Sequence, residues 1–317
     1  MRAIVTGGAG FLGSRLIRYL LDGHAGASPD RIVSIDRVPC PIDDPRVRSA
    51  VGTIADAAWL AAQIDADTTH VWHLAAVLSG QSEEEPALAA QVNVDATTSL
   101  LACCASLSRA PRFVFASTIA VFGGPLPDPV PADFPSRPQS TYGTTKAIAE
   151  LLVLEQSRRG VVDALVCRVP TVAIRPGVPN SAMSSFVSGI VREPVRGLES
   201  VCPVPSDTRL WIASPDVTVA NLALAGLLPA PSLGGVRTVD LPGVSVTPAD
   251  LLAALERAAG AEARARVRYE EAPSIARVVR TWPGAFDVTR ARALGFGIDA
   301  DADAIVTQFV RDHALTS

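Results

Sequence analysis

Short apolar runs alternate with longer amphipathic stretches through the first half of the chain. The apolar runs lie at residues 3–6, 32–35, 70–74, 112–116 and 164–169, and each is almost continuous, as in strands that are buried on both faces. The stretches between them, at residues 11–21, 57–63, 86–106 and 142–159, carry apolar residues at helical spacing. This alternation predicts βαβ units and an α/β fold with a doubly wound parallel sheet.

The pattern changes after Arg168. Residues 175–215 hold six prolines around short apolar segments, which predicts loops and a helix. A helical pattern resumes near Val217, residues 238–241 can add a late strand, and helical segments rich in Ala and Arg follow from residue 247. We therefore expect a nucleotide-binding domain over residues 1–175, to which 214–245 return, and a smaller C-terminal substrate-binding lobe formed by 176–213 and 246–317.

A glycine-rich loop follows the first predicted strand directly. Gly7, Gly10 and Gly13 have the spacing GxxGxxG, and the predicted helix begins at Phe11. Glycines permit a tight turn, and a helix N-terminus presents amide N–H groups and partial positive charge to a pyrophosphate. Because this loop stands between a strand and a helix, it is predicted to bind a dinucleotide, with Phe11 and Leu12 beside the cofactor.

The second predicted strand ends near an acidic residue, Asp36. A carboxylate at this place can accept the hydroxyl protons of an adenosine ribose and repel a 2′-phosphate, which favours NAD over NADP. The neighbouring Arg37 leaves NADP open, because a guanidinium can bind a 2′-phosphate. Both residues are therefore candidate cofactor contacts.

Tyr142 and Lys146 are four positions apart on a predicted helix, so both side chains lie on one face. An ammonium close to a phenol stabilises the phenolate, and we expect it to lower the pKa of Tyr142. Just upstream, Ser117 and Thr118 stand where the fourth strand ends, at the sheet edge where open α/β sheets hold ligands. Thr118, Tyr142 and Lys146 are therefore the predicted catalytic residues, with Tyr142 as the base.

Composition and charge limit the classes of partner that the protein is expected to bind. The net charge is −4 and the 28 Lys and Arg are scattered, so no basic surface for nucleic acid is predicted. Five cysteines without CxxC spacing argue against a disulfide framework or a zinc site and favour a reducing cytoplasm. No apolar run reaches the length of a membrane span, and the four histidines share no metal-ligand spacing. We expect a cytoplasmic protein with a small-molecule substrate, no membrane or nucleic-acid partner and no metal.

Seven segments match, in order, the motifs of one family. They are TGGAGFLG from Thr6, Asp36, HLAA from His73, NVDAT from Asn93, STIAVFG from Ser117, YGTTK from Tyr142 and RVPTVAIRPG from Arg168. On these motifs the chain resembles the extended short-chain dehydrogenase/reductase family, which includes NAD-dependent nucleotide-sugar epimerases and dehydratases. The resemblance implies a Rossmann-type NAD-binding domain with a smaller substrate-binding lobe.

The resemblance also implies further residues at the cofactor. These are Ile54, Leu74, Ala75, Ala76, Asn93, Ser117, Pro170 and Val172, together with Tyr142 and Lys146, which would bind the nicotinamide ribose. Thr118 stands where the family usually has Ser and keeps the hydroxyl. Thr53 stands where the family commonly has Asp before Ile54, so a weaker contact to the adenine is expected there.

Four longer segments, two of which reach into the predicted substrate lobe, narrow the resemblance within the family. HLAAVLSGQSEEE, FGGPLPDP, RVPTVAIRPGVPNSAMSSFVSGIVREP and SDTRLWIASP are similar to an NAD-dependent branch that acts on four-carbon sugar acids. This similarity implies that hydride passes from C2 of a 2-hydroxy sugar acid to the nicotinamide while Tyr142 takes the hydroxyl proton. The products would be a 2-oxo acid and NADH.

A carboxylate substrate needs a cationic partner, and Arg192 or Arg209 can supply one. Further candidates for substrate binding are Ser79, Gly80, Asn180 and Ser185, with Thr118 and Tyr142 at the reacting oxygen. Two other functions stay open: an epimerase or dehydratase that returns the hydride, and an NAD-sensing or scaffold protein without catalysis. The resemblance also implies a homodimer, paired through the helix of Tyr142 and the helix at 86–106.

Overall fold

The computed structural model describes residues 1–24, 26, 28–177 and 182–313. The chain forms two compact units. The first comprises Met1–Thr118, Ser140–Arg168 and Val219–Val239, and the second comprises Ile119–Gln139, Val169–Thr218 and Asp240–Ser317. These boundaries differ from the sequence-based ones chiefly at Ile119–Gln139, which the sequence pattern assigns to the nucleotide-binding domain and which lies in the second unit.

Twelve strands are formed within the described residues. In chain order they are β1 (Arg2–Thr6), β2 (Arg31–Asp36), β3 (Val47–Val51), β4 (His70–His73), β5 (Arg112–Thr118), β6 (Asp163–Val169), β7 (Thr171–Val172), β8 (Ser200–Cys202), β9 (Leu210–Ala213), β10 (Thr238–Asp240), β11 (Val244–Val246) and β12 (Val267–Tyr269). Seven of them form one sheet in the order β10-β6-β5-β4-β1-β2-β3, in which the pairs β1–β2, β2–β3, β1–β4 and β4–β5 are parallel. The predicted fold class, a Rossmann-type doubly wound sheet, is confirmed.

The helices of the described residues follow the predicted spans closely in the first unit. In chain order they are α1 (Phe11–Leu21), α2 (Ala57–Ala61), α3 (Ser79–Glu84), α4 (Pro86–Ala90), α5 (Ala96–Ala105), α6 (Thr141–Arg158), α7 (Ser185–Val195), α8 (Pro215–Leu227), α9 (Pro248–Ala265), α10 (Pro273–Val279), α11 (Thr289–Ala293) and α12 (Ala302–His313). A π-helical turn at Gln91–Asp95 joins α4 to α5, so the helix predicted at 86–106 is interrupted in its middle.

Packing in the first unit fixes the edge that carries the candidate site. Ile4, Val71 and Phe113 are buried on the central strands, and Ala149 and Val153 of α6 belong to the same core. In the strand register Thr6 lies beside Ile35 and His73, so the carboxyl ends of β1, β2 and β4 meet. The strand order reverses between β1 and β4, which is where open α/β sheets bind ligands.

The second unit has its own core. A three-stranded sheet in the order β11-β9-β7 and a two-stranded sheet of β12 and β8 accompany α7, α9 and α12. Ile190 of α7, Leu255 of α9 and Phe309 of α12 are buried together. Of these elements, the sequence pattern predicted a helix near α7 and helical segments after residue 247, but not the short strands.

Candidate active site

The glycine loop has the backbone geometry that a pyrophosphate site requires. Gly7 has φ +69°, and its N–H donates to the Ile35 carbonyl at 2.8 Å. A Cβ on Gly7 would lie 2.9 Å from the Ala75 nitrogen, and one on Gly13 would lie 2.0 Å from the Gly7 oxygen, so neither position admits a side chain. Helix α1 begins at Phe11 without a side-chain cap, which leaves its N-terminal amides facing this loop.

Asp36 lies at the end of β2, directly at the glycine loop. One carboxylate oxygen accepts the Ala9 N–H at 3.0 Å and the other accepts the Arg37 N–H at 2.7 Å. The Asp36 side chain is partly exposed and that of Arg37 is exposed. The carboxylate is therefore held beside the glycine loop by two backbone N–H groups, and its contact with an adenosine ribose stays a prediction.

The segment after β4 is joined to the helix of Tyr142 through Asn93. Asn93 lies in the π-helical turn and is buried; its amide accepts the Val77 N–H at 2.8 Å and donates to the Val77 carbonyl and to the Thr145 hydroxyl. The Ala75 N–H donates to the Thr6 hydroxyl at 3.2 Å. A π-helical turn changes the direction of side chains relative to an α-helix, and here it accompanies a buried polar link between two candidate segments.

Tyr142 and Lys146 stand on one face of α6, as predicted. Ser140 caps the helix by accepting the Gly143 N–H at 3.0 Å. Tyr142 is partly buried and forms a hydrogen bond with the Thr118 hydroxyl, while Lys146 is 1% exposed, with Nζ 4.1 Å from the centre of the Phe115 ring. The three predicted catalytic residues thus meet at the end of β5.

The protonation of this pair corrects the sequence-based expectation. Burial raises the pKa of Tyr142 to about 12, and the hydrogen bond from Thr118 opposes that rise. Burial likewise lowers the pKa of Lys146 to about 7, and the charge of Glu150 opposes that fall. We expected the ammonium to lower the pKa of Tyr142; instead desolvation dominates both groups, because each loses hydration that favours its charged form.

The Ser117 side chain is engaged within the protein. It is buried, and its hydroxyl donates to Oε1 of Glu150 at 2.5 Å, so its predicted contact with a cofactor stays a prediction for the backbone of this residue. Glu150 also accepts from Arg168, with Arg168 Nη2 at 2.8 Å from Oε2. Sequence reasoning missed this buried group, although the spacing of Tyr142, Lys146 and Glu150 at every fourth position places all three on one helix face.

At the adenine end, Ile54 and Thr53 are both engaged within the protein. The Ile54 side chain is buried in the core of the first unit, so only its backbone is available to a ligand. The Thr53 hydroxyl accepts the Ala55 N–H at 3.2 Å. The contacts that were predicted for these two residues with an adenine stay predictions.

The predicted substrate residues fall in both units. Ser79 and Gly80 begin α3 in the first unit, whereas Ser185, Arg192 and Arg209 belong to the second unit, as do the predicted cofactor contacts Pro170 and Val172. Asn180 lies outside the described residues. Arg192 was expected to offer its charge to a substrate, but it is 2% exposed and its guanidinium is bonded to Glu193 and to the Arg175 carbonyl, because it lies on the buried face of α7.

Arg209 has the accessibility that Arg192 lacks. Its side chain is 45% exposed, forms an ion pair with Asp128 and donates to the Ser245 hydroxyl at 3.0 Å. It lines a cavity of about 340 Å³ in the second unit, together with Arg280 and Trp282. Of the two arginines proposed for a carboxylate, Arg209 is exposed and Arg192 is buried.

Metal and membrane sites are absent from the part of the chain that the structure describes. It shows no cluster of His, Cys, Asp and Glu suited to a metal ion, and no helix there is long and apolar enough to cross a membrane. The five cysteines are free thiols.

Comparison with known proteins agrees with this geometry. The NAD dependent epimerase/dehydratase family matches residues 3–227. The chain belongs to this family. A D-erythronate dehydrogenase from Cupriavidus necator is 46% identical over 99% of both chains. A D-erythronate dehydrogenase from Haemophilus influenzae is 41% identical over 98% of this chain and 99% of its own length.

Among solved structures, a nucleoside-diphosphate-sugar epimerase from Agrobacterium tumefaciens superposes with a TM-score of 0.91. It is 35% identical and covers 99% of this chain and 94% of its own. The family resemblance drawn from the motifs is therefore confirmed. The roles assigned to individual residues stay predictions.

Proposed function

We propose that this protein oxidises D-erythronate, or a closely related four-carbon 2-hydroxy sugar acid, at C2 with NAD as the oxidant. The observation that carries the proposal is similarity over almost the whole chain to two D-erythronate dehydrogenases, including the second unit. Fold alone would not support a substrate, since one fold hosts many chemistries.

The donor set of the first unit fits NAD. The uncapped N-terminus of α1 and the glycine loop suit the pyrophosphate, and the Asp36 carboxylate suits the ribose hydroxyls. Bound NAD supplies the hydride acceptor and the positive charge of its nicotinamide. Exchanging Asp36 for Ala should raise the KM for NAD while sparing kcat, and a rise in activity with NADP would support the ribose assignment.

Residues of α6 and β5 remove the proton of the substrate hydroxyl in the proposed reaction. Tyr142 accepts the C2 hydroxyl proton as the C2–H bond breaks and its electron pair leaves with the hydride, so that C2 becomes a carbonyl carbon. Thr118 hydrogen-bonds Tyr142 and orients the reacting oxygen. Lys146, as an ammonium, stabilises the phenolate and binds the nicotinamide ribose. Loss of one proton and one hydride balances the conversion of the alcohol to the 2-oxo acid.

Arg209 is proposed to hold the substrate carboxylate. Its partner Asp128 is 57% exposed, so the ion pair between them can open at little cost. Ser79, Gly80 and Ser185 remain candidates for the hydroxyl groups of the acid.

The proposal includes a homodimer that works in the cytoplasm. On α6, Leu151 is 69% exposed and Ile148 is 42% exposed, which is the kind of apolar helix surface that a second copy would cover. Five free thiols are consistent with a reducing compartment. Sedimentation of the purified protein tests the assembly.

The decisive experiment incubates purified protein with NAD and D-erythronate and follows NADH absorbance. NADH should accumulate in proportion to the acid consumed. A panel of tetronic and pentonic acids, each with NAD and with NADP, then defines the substrate. Absence of turnover with every acid would overturn the proposal.

A nucleotide-sugar epimerase is the second candidate, favoured by the close superposition on the Agrobacterium tumefaciens nucleoside-diphosphate-sugar epimerase. An epimerase returns the hydride and accumulates no NADH. Conversion of a nucleoside-diphosphate sugar without net reduction of NAD, together with inactivity toward sugar acids, would favour it.

A further inference from the structure

A third residue extends the catalytic face of α6. Tyr142, Lys146 and Glu150 follow one another at four-residue spacing, and Glu150 is 3% exposed. A carboxylate so far from water is costly unless it is paired and hydrogen-bonded. Its contacts therefore indicate why the position is acidic.

Glu150 is held from two strands. From β6, Arg168 donates to Oε1 at 3.0 Å and to Oε2 at 2.8 Å, and both side chains are almost completely buried. From β5, Ser117 donates to Oε1 at 2.5 Å. Since Ser117 precedes Thr118, the carboxylate also ties α6 to the strand end that carries the Thr118 hydroxyl.

The surroundings of Lys146 leave Glu150 as the anion that acts on it. On its own helix the titratable groups four residues away on the same face are Tyr142 and Glu150; β4 contributes His73, and Arg168 of β6 is bonded to Glu150. Burial, and next the charge of Lys146, lower the pKa of His73 to about 3, so that ring is neutral near pH 7. From β5 the ammonium meets the face of the Phe115 ring, a contact that favours a cation.

We propose that Glu150 is a positioning residue of the active site: it favours the charged form of Lys146 and, through Ser117, fixes the strand end that orients Thr118. Glu150 does not touch the reacting atoms. This inference rests on the proposed function for its catalytic consequence, but not for its effect on Lys146.

The proton equilibrium between Tyr142 and Lys146 determines how much phenolate the site contains. The pKa of Lys146 is about 7 and that of Tyr142 is about 12. The first proton that the pair loses near neutral pH therefore comes mostly from the ammonium, which leaves a phenol and a neutral amine. The active form, phenolate with ammonium, is a minor tautomer whose fraction falls tenfold for each unit by which the pKa of Lys146 drops. Removal of the Glu150 charge lowers the pKa of Lys146 and is therefore expected to lower kcat at every pH above neutrality.

The test uses an unusual property of the chain: Lys146 is its single lysine. Protein without a lysine-bearing tag, grown with ¹³C-labelled lysine, gives one side-chain ε resonance, and its pH titration reads Lys146 directly. Glu150→Gln keeps an acceptor for Ser117 but removes the charge. We expect the midpoint to fall by about one unit and kcat above neutrality to fall by about the same tenfold factor, with KM nearly unchanged.

The matched control is Glu155→Gln on the same helix. Glu155 is exposed and bonded to Arg158, so both the Lys146 titration and kcat should match the wild type. If Glu150→Gln fails to fold because Arg168 loses its carboxylate partner, the double variant Glu150→Gln, Arg168→Met removes both buried charges and should still lower the midpoint of the Lys146 titration.

An unchanged Lys146 midpoint in the folded variant, whatever happens to kcat, would overturn the proposal and leave Glu150 a purely structural role. The titration needs no substrate. A protein inactive toward sugar acids that still shows the shift would therefore contradict the proposed function alone.

Discussion

Two arginine–carboxylate ion pairs, one in each unit, differ in how far they are exposed to solvent. The side chains of Arg168 and Glu150 in the first unit are 10% and 4% exposed, and those of Arg209 and Asp128 in the second are 45% and 57% exposed. The buried pair is shielded from water, so its geometry is fixed. Removing one partner is expected to lower the free energy of unfolding substantially, because the other charge stays buried. The exposed pair contributes little stability and can exchange its partner.

This difference separates the functions of the two regions. The region around α6 holds buried groups with shifted pKa values beside Tyr142, the proposed base. The region around Arg209 holds the exposed cation that we propose for a substrate carboxylate. Substitutions in each region can therefore test that separation.

Exchange of Tyr142 for Phe should remove proton transfer while leaving recognition intact. We expect kcat to fall by about 10³-fold, in the range typical of a lost general base, with NAD binding unchanged. Tyr269→Phe, at an exposed tyrosine of the second unit, is the matched control and should retain full activity. Retained turnover in Tyr142→Phe would indicate a different base or a protein that does not catalyse.

Exchange of Arg168 for Met should show the cost of breaking the buried pair. Glu150 would be left charged and buried, so the free energy of unfolding should fall by about 3–5 kcal/mol. Urea denaturation followed by circular dichroism measures the change. A loss below about 1 kcal/mol would mean that water reaches Glu150, contrary to its burial.

Exchange of Arg209 for Gln should have the converse effect. The KM for the sugar acid should rise by about 10–100-fold, as expected for a lost charged contact, while unfolding changes by less than about 1 kcal/mol. Arg257→Gln, which breaks an exposed ion pair with Asp303, should alter neither quantity. An unchanged KM in Arg209→Gln would move the carboxylate site elsewhere.

The pH profile tests the protonation of the buried region. Because the pair loses its first proton near the Lys146 pKa of about 7, kcat should rise about tenfold per unit below pH 7 and level off above it. The Arg209→Gln variant should keep this profile, since Arg209 acts on recognition. A rate that falls as the pH is raised through 7 would contradict the assignment.

Much of the first unit could be predicted because its signals are local. All five predicted strands and the four helical stretches recur within a few residues, and α1 has the predicted span. The edge strand β3 was missed, since VRSAV carries Arg48 and Ser49 and lacks a continuous apolar run. The strands of the second unit were missed because two to four residues are too few to show a period in the sequence.

Local sequence signals were enough to predict most strands of the seven-stranded sheet, the glycine loop, Asp36 and the placing of Tyr142 and Lys146 on one helix face, because each depends on neighbours within one or two elements. The surroundings of those groups depend on how distant elements pack together. Burial shifts the pKa values of Tyr142 and Lys146, and the Ser117 hydroxyl bonds to Glu150. Arg192 is buried, whereas Arg209 is exposed. Desolvation and long-range pairing depend on residues that are distant in the chain. The spacing of residues along the sequence does not indicate which of these distant residues pack together.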